Sequence, residues 1–166
     1  MCRAIQHAHQ KGVIHRDLKP RNIFLSRTMT GEIEPKILDF GISKMIDVTG
    51  SLSLTDPGSL IGTPPYWAPE QVAGERVTPL TDQYSLALTY YHLRFGRLPF
   101  GVGVTGEQVR EVHTSGLLDL SGVPSAEQEV LRRATDVEPR HRFQSCRSFV
   151  EALVRENVLT EYFEER

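Results

Sequence analysis

Three short segments of this 166-residue chain concentrate the residue types able to do chemistry. The first is His15-Arg16-Asp17-Leu18-Lys19-Pro20-Arg21-Asn22, the second Asp39-Phe40-Gly41, and the third Gly62-Thr63-Pro64-Pro65-Tyr66-Trp67-Ala68-Pro69-Glu70. The carboxylates of Asp17 and Asp39 and the amide of Asn22 are oxygen donors. A hard cation such as Mg²⁺ takes a few donors of this kind together with phosphate oxygens. Lys19 adds a compact point charge on a flexible stem, suited to meeting an anion. Asp17 and Asn22 stand five residues apart after a short β-like run, so one loop can turn both toward one cleft. Alone, Asp-Phe-Gly or Ala-Pro-Glu means nothing, since three letters recur by chance. The eight-residue first segment is far more specific, and the three together in this order more specific still.

The elements that must position these residues follow from apolar periodicity and from helix stops. Residues 3–11 read as a helix closed by Gly12, with Ala4, Ile5, Ala8 and His9 as its stripe; with no N-cap before it, the chain is expected to begin mid-element. Val13-Ile14, Ile23-Phe24-Leu25 and Lys36-Ile37-Leu38 are β-like runs, the last two separated by a turn containing Gly31. Residues 39–69 are rich in Ser, Thr, Gly and Pro, as long functional loops are. The second half predicts helices. One spans 82–95, buried through Leu86, Ala87, Leu88, Tyr91 and Leu93 and ended by Gly96. A polar one spans 106–115. A third, from 125 to about 135, opens on the capping-box pattern Ser125-Ala-Glu-Gln128. The last, from about 145 to 157, carries Phe149, Val150, Leu153 and Val154 on one face.

Bulk properties exclude several classes. Apolar residues at 39% and charged residues at 24% fit one ordinary globular domain. A net charge of −2 gives no basic field for nucleic acid or an anionic membrane. No apolar run approaches the ~20 residues of a membrane span, and the polar start lacks the apolar stretch of a signal peptide. Cys2 and Cys146 fit no zinc spacing and make no disulfide framework, so a reducing, cytoplasmic setting is expected.

The three motifs together resemble the catalytic half of the protein kinase family, serine/threonine type, and the resemblance runs from about residue 3 to 157. It implies a mainly α architecture with small β-hairpins (α+β): the C-terminal lobe of a kinase, residues 1–157, followed by a charged tail, 158–166. It also implies phosphoryl transfer from ATP, which asks the protein for orientation and charge neutralisation more than for covalent chemistry. On that resemblance Asp17 orients the acceptor hydroxyl and Asn22 and Asp39 hold Mg²⁺. Lys19 meets the transferred phosphate, and Thr63 contacts Asp17. Lys19 and Thr63 are the two positions that mark serine/threonine rather than tyrosine specificity. His15 is expected to pack beneath the loop without acid–base work.

Four residues are expected to support the site. Asp82, at the start of the buried helix, could be a simple N-cap, a role worth ~1 kcal/mol; the resemblance implies that it braces the catalytic-loop backbone. Glu70 needs a cation, and the resemblance implies that the segment Pro139-Arg140-His141-Arg142-Phe143 supplies it; Arg142 is the expected partner and Arg140 the lesser one. Arg16 before Asp17 accompanies kinases switched by phosphate on the loop. Among Thr49, Ser51, Ser53, Thr55 and Ser59, Thr55 is the first candidate and Ser59 the second; an unmodified loop is the alternative.

No glycine-rich phosphate loop precedes the first motif, and Gly101-x-Gly103 lies downstream of it, in the wrong order. The chain is therefore expected to be a fragment without the N-lobe. It should bind ATP weakly, be inactive or nearly so alone, and expose an apolar surface that the missing lobe or another upstream region would cover. The expected partners are ATP and a protein substrate, with no nucleic acid. The competing reading is a non-catalytic half-kinase acting as an interaction module; the presence of Asp17, Asn22 and Asp39 together argues against it. A small-molecule phosphotransferase is weaker, because such enzymes lack the third motif.

Overall fold

The computed structural model describes residues 2–39, 65–100 and 105–155, and the architecture there is mainly helical with one small, largely exposed sheet. Helix α1 (Cys2–Gln10) buries Ile5, while Ala4 of its expected stripe is exposed. It ends as a Schellman motif: Gly12 N–H reaches His9 O at 3.0 Å and Val13 N–H reaches Ala8 O at 2.9 Å. Gly12 sits at φ 75°, where a Cβ would be strained. Val13-Ile14, expected as a strand, is instead the exit of this motif and pairs with no strand.

The sheet is one antiparallel hairpin, β1 (Ile23–Arg27) with β2 (Ile33–Ile37), in the register Ile23↔Ile37 to Arg27↔Ile33. Its turn is closed by Gly31 N–H to Thr28 O at 3.0 Å and Thr28 N–H to Glu32 O at 2.8 Å. β2 begins and ends earlier than the sequence suggests. Pro35 is tolerated inside it because a two-stranded sheet has only edges.

A short helix α2 (Pro69–Val72) follows the third motif. Helix α3 (Pro79–Phe95) is the spine of the fold. It starts three residues before the expected position: Thr78 is the N-cap, accepting from Leu80 N–H at 3.2 Å, and Pro79 takes the first turn. Asp82 is therefore inside the helix and is not its cap. α3 is covered on all sides through most of its length, with Tyr84, Leu86, Ala87, Leu88 and Tyr91 buried. Leu93, expected among them, is 62% exposed, because the last turn leaves the core before Gly96 ends it at φ 69°.

Helix α4 (Gly106–Ser115) opens on a reciprocal cap, with Thr105 N–H to Gln108 Oε1 at 2.8 Å and Gln108 N–H to Thr105 Oγ1 at 3.3 Å. Helix α5 (Ser125–Ala134) has Pro124 at its N-cap, so Ser125 is its first helical residue. The expected capping box is absent: Gln128 Nε2 donates to Val123 O at 2.8 Å instead. Helix α6 (Cys146–Arg155) buries Phe149 and Leu153, while Val154 is exposed.

Two apolar clusters share α3. One joins Ile5, Leu18, Leu86, Ala87, Tyr91, Leu131, Phe149 and Leu153 across α1, α3, α5 and α6. The other joins Ala68, Tyr84, Leu88, Phe100 and Val109 toward α4. Leu18 thus anchors the loop between α1 and β1 in the core, one residue beyond Asp17. Burial at about 25 cal/mol per Å² makes such an anchor worth roughly 2 kcal/mol.

Candidate active site

The loop of residues 13–22 is held from beneath by buried polar groups. Asp82, buried on α3, accepts the backbone N–H of His15 at Oδ2 (2.8 Å) and of Arg16 at Oδ1 (2.8 Å). Its Oδ2 also accepts the ring Nε2–H of His9 at 2.7 Å. Three donors converge on one carboxylate, the condition under which a buried charge is tolerated. The bracing expected of Asp82 is therefore present as geometry. His9, which the sequence presents only as part of an apolar stripe, is its side-chain partner; a second histidine six residues before His15 was the available signal.

His15 is fully buried and its tautomer is set by its partners. Nε2 donates to Leu38 O at 3.0 Å, which leaves Nδ1 to accept the Asp17 N–H at 3.3 Å. Both ring nitrogens are thus committed to backbone, leaving no free position for proton transfer. Arg16 lies at φ 67°, in the left-handed region that residues with a Cβ seldom enter.

Asp17, Lys19 and Asn22 meet at the cleft. Lys19 Nζ donates to Asp17 Oδ2 at 2.8 Å, with the two side chains 32% and 22% exposed. Asn22 Nδ2 donates to Asp17 O at 2.7 Å and to Asp17 Oδ2 at 3.3 Å. A 3-10 turn at Pro20–Asn22 delivers the Asn22 side chain back toward Asp17. Because both donors of Asn22 go to Asp17, its Oδ1 is the atom left as a lone-pair donor.

Asp39 follows the end of β2. Leu38 N–H donates to Asn22 O at 2.9 Å and Leu38 O accepts from His15, so both backbone groups before Asp39 are tied to the loop of residues 13–22. Asp39 itself is exposed and sits at φ 53°. Phe40, Gly41, Thr55, Ser59 and Thr63 lie outside the described residues.

The third motif ends in a buried ion pair. Arg142 Nη1 meets Glu70 Oε1 at 2.9 Å and Nη2 meets Oε2 at 2.8 Å, with Glu70 4% and Arg142 3% exposed. Thr81 Oγ1 donates to Oε1 at 2.8 Å, and Arg142 Nε donates to Asp136 O at 2.7 Å. Burial alone would raise the Glu70 carboxyl; the hydrogen bonds and charge of Arg142, helped by the Glu70 N–H and Thr81, outweigh it and hold the group below its usual range. Arg140 is exposed beside Glu138 at 3.5 Å and does not reach Glu70.

Gln71, which no motif singles out, bridges the two segments. Its Oε1 accepts Ala68 N–H at 3.1 Å and its Nε2 donates to Arg16 O at 2.9 Å. Ser85 Oγ also donates to Tyr66 O at 2.7 Å, seating the third motif on α3.

With this geometry in view, the chain was compared with known proteins. The family model described as "Protein kinase domain" matches residues 1–159. Serine/threonine-protein kinase Pkn1 of Myxococcus xanthus is 38% identical over 158 residues, covering 92% of this chain and 22% of Pkn1. Serine/threonine-protein kinase PknB of Mycobacterium tuberculosis is 35% identical over 158 residues, covering 93% of this chain and 24% of PknB. The chain thus spans about a quarter of the length of these curated relatives. Among solved structures, the Rad53 kinase domain with SCD2 and AMPPNP superposes with a TM-score of 0.64 at 23% identity, over 92% of this chain and 53% of that one. At that identity the likeness is one of fold.

Proposed function

Because the chain belongs to the protein kinase domain family, with serine/threonine-protein kinases as its relatives, we propose that it carries the catalytic loop of an enzyme moving the γ-phosphate of ATP to Ser or Thr hydroxyls of a protein. The observation that carries this reading is the Asp17 carboxylate, held between Lys19 Nζ at 2.8 Å and Asn22 Nδ2 at 3.3 Å on a loop braced by Asp82. Asp17 accepts and orients the substrate hydroxyl. Lys19, free to rotate about its stem, passes its charge from Asp17 to the phosphate in flight. Thr63, outside the described residues, is assigned to contact with Asp17 on the resemblance alone.

The donor set fits Mg²⁺. Asn22 has only an oxygen left to offer, and Asp39 is an exposed carboxylate tethered one residue from the Leu38–Asn22 hydrogen bond. Bound there, the cation would neutralise phosphate charge. Asn22 and Asp39 would hold it, leaving Asp17 to the substrate hydroxyl and Lys19 to the phosphate.

The domain occupies residues 1–157. Phosphate on Thr55, or failing that on Ser59, met by Arg16, would switch the enzyme. Phe24, Leu25, Ile33 and Leu38 are each at least 43% exposed beside the catalytic loop. These apolar side chains, carried on both faces of the hairpin, mark where an ATP-clamping lobe rests, from the same polypeptide or from a partner. Without that lobe the chain binds ATP weakly and turns over poorly. The same side chains are the observation that favours a second reading, a non-catalytic module that docks another protein. Among the described residues no helix is long and apolar enough to cross a membrane, and both cysteines are free, as a reducing cytoplasm would keep them.

The test is phosphate transfer from Mg-ATP by the 166-residue chain to itself and to a basic protein, beside Asp17→Asn. Transfer lost in Asp17→Asn supports the kinase reading. Transfer that persists in it overturns the role of Asp17. A folded chain that transfers nothing even when joined to a phosphate-clamping lobe favours the docking module.

A further inference from the structure

We propose that Gln71 is a positioning residue for Asp17, on the reading above that Asp17 is the catalytic carboxylate. The argument concerns the peptide plane between Arg16 and Asp17. A peptide is planar and rigid, so fixing its oxygen and its N–H fixes its orientation. Gln71 Nε2 donates to the oxygen of this plane at 2.9 Å, and the N–H of the same plane donates to His15 Nδ1 at 3.3 Å. The plane next to it is anchored as well, through Arg16 N–H to Asp82 Oδ1 at 2.8 Å. Between the two planes Arg16 is held at φ 67°. An unfavourable backbone of this kind persists only where its surroundings over-determine it. The direction of the Asp17 side chain follows from the plane that enters its Cα.

Gln71 also faces the other way. Its Oε1 accepts Ala68 N–H at 3.1 Å, and the preceding residue, Glu70, is bolted to Arg142. One side-chain amide thus joins the turn at Ala68-Pro69-Glu70 to the catalytic loop, 55 residues away in sequence. The position asks for a group that accepts at one atom and donates at the next, without charge. Glutamine meets this at the required reach. A glutamate would keep the acceptor for Ala68 and set a second oxygen against Arg16 O.

The experiment uses the 166-residue chain, uniformly ¹⁵N-labelled, as wild type, Gln71→Glu and Gln71→Met. Amide exchange is read at Ala68 and Asp17, and kcat and KM for ATP are read from transfer. In Gln71→Glu the Ala68 amide keeps its protection within about twofold. The Asp17 amide exchanges about tenfold faster, and kcat falls about tenfold with KM within about twofold, the scale set by one lost buried hydrogen bond. In Gln71→Met both amides lose protection. A Gln71→Glu chain with unchanged Asp17 exchange overturns the proposal, and so does one with unchanged kcat. If the wild-type chain transfers no phosphate alone, kcat and KM are read with a phosphate-clamping lobe joined; no transfer even then fails the kinase reading, and the exchange at Asp17 still decides whether Gln71 holds the loop. If Gln71→Glu does not fold, Gln71→Met decides by the same Asp17 amide.

Discussion

Glu70 and Arg142, 72 residues apart in sequence, meet in a bidentate ion pair with both side chains buried. The pair bolts the end of the third motif to the segment before α6. Arg142 spends its remaining donors on Leu80 O, Asp136 O and Val137 O, so removing it strands several acceptors at once. Arg142→Met is expected to cost ~3–5 kcal/mol, since it leaves a buried charge without a partner. Urea unfolding followed by tryptophan fluorescence and circular dichroism checks this; a loss below about 1 kcal/mol would show that the pair is not a fastening of the fold. The Glu70 carboxyl is depressed below 4.5, so its contribution is full above that pH and is lost as pH falls through the folded value.

Asp82→Asn should loosen the catalytic loop without dismantling α3. One of the oxygens that accept His15 and Arg16 N–H becomes a donor facing a donor. The expected cost is about 1–3 kcal/mol, with faster amide exchange confined to residues 15–17. Exchange that rises uniformly along α3 would mean that Asp82 serves the helix and not the loop.

Lys19→Met separates chemistry from stability. The Lys19–Asp17 pair is partly exposed, so its loss should change stability by no more than about 1 kcal/mol. Phosphate transfer should fall at least about a hundredfold, because the moving charge loses its cation. Equal transfer by wild type and Lys19→Met would remove Lys19 from the mechanism.

His113 sets an acid limit on stability. It is fully buried on α4 and accepts at Nδ1 from the Tyr84 hydroxyl at 2.8 Å, while its Nε2 has no hydrogen-bond partner among the described residues. Burial raises the Tyr84 phenol, which therefore stays protonated as the donor, and burial lowers the His113 imidazole to about 4. The unfolded chain takes up this proton near pH 6.5 and the folded chain only near 4. Between these values the unfolded state holds more protons, so stability falls as pH falls. The whole effect is about 3 kcal/mol. Unfolding of the Tyr84→Phe/His113→Leu double variant between pH 7 and pH 4 should show a slope reduced by that amount. An unchanged slope would assign the acid sensitivity to other groups.

The active-site candidates were legible because they lie close together in sequence. Asp17, Lys19 and Asn22 share one loop, and loop geometry alone can bring residues five apart into contact. Glu70 and Arg142 were legible for a different reason: a buried acid requires a cation, and few candidates stood in the right segment. Helix ends carried by glycine, at Gly12 and Gly96, were also readable, since the left-handed turn they make disfavours other residues. Ser125 misled because its spacing to Gln128 matches a cap. Pro124 took the capping position instead, and Gln128 turned to Val123 O.

What the sequence determined by itself was the order of the three motifs, most helix boundaries and the family to which the chain belongs. Those depend on residue type, spacing and local backbone preference. What only the tertiary structure decided was which side chain braces which backbone group. His9 reaches Asp82 across 73 residues and Gln71 reaches Arg16 O across 55. No spacing rule encodes such contacts. They arise because α1 packs on α3 through one apolar cluster and Ala68, just before α2, packs on α3 through the other, so polar groups from distant parts of the chain meet between them.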